Sequence, residues 1–109
     1  MVSKLPDQFV SVRKRFKRFA GALDDLGIVA RESGPLSEKI SHLVQLAASA
    51  AIRSEGSVHS HTRRALAAGA KPEEIYHTIL LLTSTIGFPT VSAALTWVDD
   101  IIKKKRSKK

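Results

Sequence analysis

The 109-residue chain contains no cysteine. That excludes a disulfide scaffold, a thiolate metal site and any thiol nucleophile. No apolar run approaches the ~18 residues needed to span a bilayer. The opening stretch from Met1 to Pro6 carries no apolar h-region, so no signal peptide is expected. From these absences the chain is expected to be a soluble cytoplasmic protein. There is no Gly-rich phosphate loop and no Gly-x-Ser-x-Gly elbow. No segment alternates apolar and polar residues for long, and β-branched residues do not cluster, so strands are not expected.

What is present is a basic, globular composition. Apolar residues make up 43% and charged residues 26%, with a formal net charge of +8. The length suits one domain of the usual ~100–200 residues. A chain this short buries only about 60–70% of its unfolded surface, so self-association would help it considerably. Lys103, Lys104, Lys105, Arg106, Lys108 and Lys109 crowd one end, and Arg13, Lys14, Arg15, Lys17 and Arg18 form a second cluster. Such clusters contact nucleic acid or another polyanion, or they are simply a solvated helix face and a solubilising tail. No aromatic residue interleaves with the tail, and base stacking would want one. The expected organisation is one helical domain over 1–102 and a disordered basic tail over 103–109.

Periodicity predicts helices throughout. Val12, Phe16, Phe19, Ala20 and Leu23 draw one apolar stripe on a helix from about Asp7 to Asp25, with Gly27 ending it. A loop is expected over Arg31–Pro35. Ser37 suits the N-cap of the next helix, which runs to about Arg53. Its middle, Leu43 to Ile52, is apolar on most sides, as in a helix buried in a core or a subunit interface. A short helix from Ser57 to Ala68 follows, stopped by Gly69. Pro72 opens a fourth, with Glu73 and Glu74 in its first turn and Gly87 at its end. Pro89 opens the last, which turns Val91, Ala94, Leu95, Val98 and Ile102 inward. The fold class is therefore all-α, an orthogonal bundle of about five helices.

Histidine is the side chain best suited to proton transfer near neutral pH and the commonest metal ligand. There are four: His42, His59, His61 and His77. His59 and His61 are two apart and point in different directions on a helix, and no i, i+4 histidine pair of zinc type occurs. Ala65, Gly69 and Ile75 have the spacing of a helix-turn-helix. The would-be recognition helix, however, starts Pro72-Glu73-Glu74 and continues Ile79-Leu80-Leu81-Leu82. Its carboxylates would meet phosphates, and its body is too apolar for a groove.

The stretch His61-Thr-Arg-Arg-Ala65-Leu-Ala-Ala-Gly69-Ala-Lys-Pro72-Glu-Glu-Ile75, with Gly87-Phe88-Pro89 and Ala94 beyond it, resembles the carboxymuconolactone decarboxylase family. That family includes the alkylhydroperoxidase D-like proteins. The resemblance spans about Leu36 to Ile102. It implies an all-α homo-oligomer, commonly a trimer or hexamer, with sites near subunit contacts. It also shows departures. The two cysteine positions of the peroxidase-like branch hold Ser54 and Ser57, so thiol peroxidase activity is not expected. The relay glutamate of that branch is replaced by His42. The decarboxylase branch usually has glutamate where Ser57 stands, and often has one where His77 stands.

The resemblance implies a cofactor-independent lyase acting on a small carboxylated lactone or keto acid. His61 would be the general acid/base, with Ser57 as hydrogen-bond donor to the developing oxyanion and His42 nearby. Arg53 and His77 would bind the substrate, Arg53 by gripping a carboxylate bidentately. Arg53 suits helix C-terminal capping equally well, and Ser57 an N-cap. Trp97 and Phe88 could line a pocket, though core or interface positions suit them better. Alternatives stay open. His42, His61 and His77 could converge on a divalent metal with one open position. The site could be inactive, with the fold kept for assembly, or the basic helical assembly could bind a polyanion. No membrane contact is expected.

Overall fold

A computed structural model describes residues 7–107, with side chains through Lys103. Every regular element among the described residues is helical: α1 (Asp7–Arg15), α2 (Lys17–Glu32), α3 (Glu38–Ala51), α4 (Glu55–Ala67), α5 (Pro72–Leu80), α6 (Thr83–Ile86) and α7 (Phe88–Ser107). The all-α expectation holds, with seven helices in place of about five. The described chain divides after Leu36 into two compact units.

The first unit is a pair of helices in contact, α1 and α2. The single helix expected over 7–25 is interrupted at Phe16, whose φ of −130° and ψ of 65° are not helical. Arg13, Lys14 and Arg15 end α1, where cations suit the negative end of the macrodipole. Arg13 makes a two-point ion pair with Asp24 of α2 and lies over the Phe9 ring. Gly27 does not end α2, which continues to Glu32. An interior glycine costs only ~1 kcal/mol of helix propensity, and it stops a helix only where the chain takes up a positive φ. The loop expected from Arg31 therefore begins at Ser33, whose hydroxyl donates to the Val29 carbonyl at 2.6 Å.

The second unit holds the core. Ser37 caps α3 as predicted, its hydroxyl accepting from the Ile40 N–H at 3.1 Å. α3 packs on α4, α4 on α7, and α5 on both α3 and α7. The fully buried apolar side chains are Leu46 and Ala50 of α3, Val58 and Ala65 of α4, Ile75 and Ile79 of α5, and Val91, Ala94, Val98 and Ile102 of α7. Leu95 and Trp97 pack against this cluster from its edge, whereas Phe88 is exposed.

Two helix ends share one geometry. After α4, the Ala70 N–H reaches the Ala65 carbonyl and the Gly69 N–H reaches Leu66, with Gly69 at φ +100°. After α3, the Ser54 N–H reaches the Ser49 carbonyl and the Arg53 N–H reaches Ala50, with Arg53 at φ +57°. Both are Schellman caps, and the second puts a β-carbon where glycine is preferred. The fourth predicted helix is split: α5 ends at Leu80 and a turn leads into the short α6, which Gly87 closes at φ +89°. α7 runs on through 103–107, the first five residues of the expected tail, while 108 and 109 lie outside the described residues.

Candidate functional site

α4 carries polar side chains on both flanks of its buried stripe of Val58, Thr62 and Ala65. Ser57 and His61, one turn apart, lie on one flank. Glu55 and His59, also one turn apart, lie on the other. The helix begins where it does because Ser54 is its N-cap, its hydroxyl accepting from the Ser57 N–H at 3.4 Å. Ser57 is therefore inside the first turn and is not the cap, contrary to one reading of the sequence.

The first flank meets α3. His42, 2% exposed, brings its Nδ1 to 3.3 Å from Nδ1 of His61, with the ring centroids 5.5 Å apart. A nitrogen–nitrogen contact that short needs a donor on one ring and an acceptor on the other. The pair can hold one extra proton between its two rings, but not two without repulsion. Glu38 reaches to 4.0 Å from Nε2 of His42. About two turns along α3, the buried Ser49 donates to the Gln45 carbonyl at 2.7 Å and meets Ser57 Oγ at 2.6 Å. A hydroxyl has one proton. Since Ser49 gives its proton to Gln45, Ser57 is the donor between the two serines. That leaves Ser57 lone pairs to offer a ligand in this arrangement, and not the donated hydrogen bond an oxyanion would need.

Arg53 and His77 stand apart from this seam in the contacts they make. Arg53 is exposed at the α3–α4 corner and donates from Nη1 to Thr90 Oγ1 of α7 at 2.9 Å. Its backbone forms the α3 cap described above, so the capping reading of this residue has a direct counterpart. His77 is exposed in the last turn of α5.

The second flank meets α7. His59 Nε2 lies 3.0 Å from Asp100 Oδ2, a contact 41 residues long in sequence. Glu55 joins them. Glu55, His59 and Asp100 each offer a ligand atom, and these atoms all lie within 4.8 Å of one another. This is the one such group of three among the described residues. It is not the His42, His61 and His77 set raised from the sequence: of that set only His42 and His61 meet. The sequence held a signal for the other group, since Glu55 and His59 are four apart on a helix and share a face. The group holds one histidine, so a zinc-type histidine pair does not mark it, and Asp100 joins it only through the packing of α4 on α7.

Thr62, between the two flanks, is fully buried, and its hydroxyl has no hydrogen-bond partner among the described residues. The helix-turn-helix spacing is realised as α4, the Gly69 turn and α5, but Ile75 and Ile79 of α5 are wholly buried in the core. No described helix is long and apolar enough to cross a membrane.

No curated protein and no solved structure matches the chain. The model of the Carboxymuconolactone decarboxylase family matches residues 16–100, from the start of α2 to Asp100, and so takes in both flanks of α4. With serine at both places where relatives of the peroxidase branch carry cysteine, the chain belongs to the carboxymuconolactone decarboxylase family as a variant without the Cys-x-x-Cys pair.

Proposed function

We propose that this chain is a metal-binding member of its family, working without thiol chemistry. The observation that carries the reading is the convergence of Glu55, His59 and Asp100 from two packed helices. One imidazole nitrogen and two carboxylate oxygens supply a neutral donor and two negative charges, a set that suits a divalent cation. The test is native mass spectrometry of the full chain after incubation with zinc and removal of the excess. One ion per chain is the expected result, and a metal-free chain would end this reading.

A second reading is favoured by the contact between His42 and His61. In it the α3–α4 seam is a proton-transfer site for a small carboxylated lactone or keto acid, and no cofactor is needed. Loss of carbon dioxide leaves the bonding electron pair on the substrate carbon as an enolate, and His61 delivers the proton that quenches it. His42, sharing a proton with His61, would set which nitrogen carries it. Arg53 and His77 would serve as anion-binding groups at the periphery. On this reading His61→Ala lowers decarboxylase turnover by ~10²–10⁴-fold, the usual contribution of a positioned acid/base. Turnover equal to the parent in that variant would exclude the assignment.

The family resemblance supports a homo-oligomer of three or six chains under either reading. Contact of the basic tail with a polyanion is the weaker alternative, since no aromatic residue interleaves with the tail to stack on bases.

A further inference from the structure

Resting on the metal-binding reading above, we infer that the ion is a first-row divalent cation of the zinc type, and that it clamps α4 to α7. The donor set selects the ion. Magnesium and calcium take oxygen ligands almost exclusively. Here an imidazole is central to the group, and imidazole nitrogen favours zinc, nickel, copper or iron. The spacing agrees. Tetrahedral neighbours at ligand bonds of 2.0–2.2 Å stand about 3.3–3.6 Å apart, and the 3.0 Å between these two donors is within a few tenths of an ångström of that range. His59 Nε2 and Asp100 Oδ2 are thus already placed as neighbouring ligands, and an ion entering between them replaces their hydrogen bond with two coordination bonds.

Glu55 completes the set. It lies one helical turn before His59, so both are carried on the same rigid element. Its carboxylate makes no hydrogen bond or ion pair to any other described residue. The neighbouring Asp99 is differently committed, accepting from Tyr76 Oη at 2.5 Å and lying 3.5 Å from Lys103 Nζ. Two carboxylates cancel the charge of a dication. Glu55 and Asp100 are exposed and His59 is half-buried, so little desolvation opposes binding. Three protein ligands leave at least one position to water or a small anion, as in zinc sites that are not purely structural.

The clamp follows from topology. Two ligands belong to α4 and one to α7, so the ion binds only the packed arrangement of the two helices. Whatever binds the folded form and not the unfolded one raises its stability in proportion to the logarithm of its concentration. The face of α4 that it would hold is opposite the seam of Ser57 and His61, so occupancy would fix the helix that carries both.

The test is calorimetric titration of the full chain with zinc chloride, magnesium chloride or calcium chloride, together with thermal unfolding. The variants are Glu55→Gln, His59→Gln and Asp100→Asn, with His61→Gln for comparison. Near-isosteric changes at partly exposed positions preserve the helices, which circular dichroism checks. Expected is one zinc per chain, with magnesium and calcium at least ~100-fold weaker. Each of the first three variants weakens zinc by more than ~100-fold, since even outer-sphere partners cost 10–100-fold. His61→Gln binds as the parent does. Zinc at a hundredfold excess over Kd raises the parent Tm by roughly 10 °C and leaves Asp100→Asn unmoved. Absence of any zinc binding overturns both the metal-binding reading and this inference. Zinc binding that survives His59→Gln and Asp100→Asn but is lost in His61→Gln leaves the reading standing and overturns this site. Equal binding of magnesium overturns the choice of ion, and zinc binding without a Tm rise overturns the clamp.

Discussion

Three residues of the second unit hold positions that their chemistry resists. Thr62 buries a hydroxyl that lacks a partner among the described residues, at a cost of the order of 1–3 kcal/mol against a satisfied group. Thr62→Val keeps the shape and removes the polar atom. It should therefore raise stability by about 1 kcal/mol, read from the urea midpoint at constant m. An unchanged or lowered midpoint would mean the hydroxyl is satisfied in solution. Arg53 takes a left-handed conformation that costs a residue with a β-carbon about 1 kcal/mol. Gly69, at the matching place after α4, pays no such cost, and a β-carbon there would meet nothing within 4 Å. The difference between the two caps lies in the backbone and not in crowding. His42 is buried against His61, and of the three it is the one whose burial brings two titratable rings together. None of this is legible at the single-residue level, because a threonine, an arginine and a histidine on a helical pattern look ordinary until their neighbours are known.

At the scale of elements, the ends of helices were the most legible feature. Ser37 and Pro72 opened helices where predicted, and Gly69 and Gly87 closed them, because these residues act on their own backbone. Gly27 misled for the same reason in reverse: glycine permits a stop but does not impose one. The start of α5 also ties two elements together. Glu74 accepts from the Lys71 N–H at 2.8 Å and from Lys39 Nζ of α3 at 3.1 Å. The Lys71 backbone bond, then the Lys39 bond, hold its carboxyl below the ordinary glutamate value of ~4.3. A depressed carboxylate contributes stability that is present above the unfolded value and lost as pH falls through the folded one. Glu74→Gln should thus be less stable than the parent at pH 7, and the gap should close as pH falls below ~4.3. Urea midpoints of both proteins at pH 7, 4 and 3 read this directly. A gap that stays constant would place the contribution of Glu74 in its packing and not its charge.

At the scale of the molecule, α3 is one of the elements that leave large apolar side chains exposed. Its inner face supplies Leu46 and Ala50 to the core, while Ile40, Val44 and Ile52 on its outer side are 39%, 54% and 74% exposed. Ala48 and Ala51 extend that side, and no charged residue interrupts it. A contiguous apolar patch of this kind is a mark of association. The expected native mass is that of three or six chains, and Val44→Lys with Ile52→Lys should reduce it to one chain with helix content unchanged. Sedimentation that finds a single chain in the parent would remove the oligomer, and an unchanged mass in the double variant would move the contact elsewhere. Helical class, most helix boundaries, the exclusion of thiol chemistry and the family are legible in the residues, because periodicity, caps and residue identity are local properties. Tertiary structure alone decided which polar residues meet. It set His42 against His61 but not His77, committed the Ser57 proton to Ser49, and brought Asp100 across 41 residues to His59. The physical reason is that α4 is packed on α3 along one side and on α7 along the other, and the sequence of a helix does not say which neighbour each side will find.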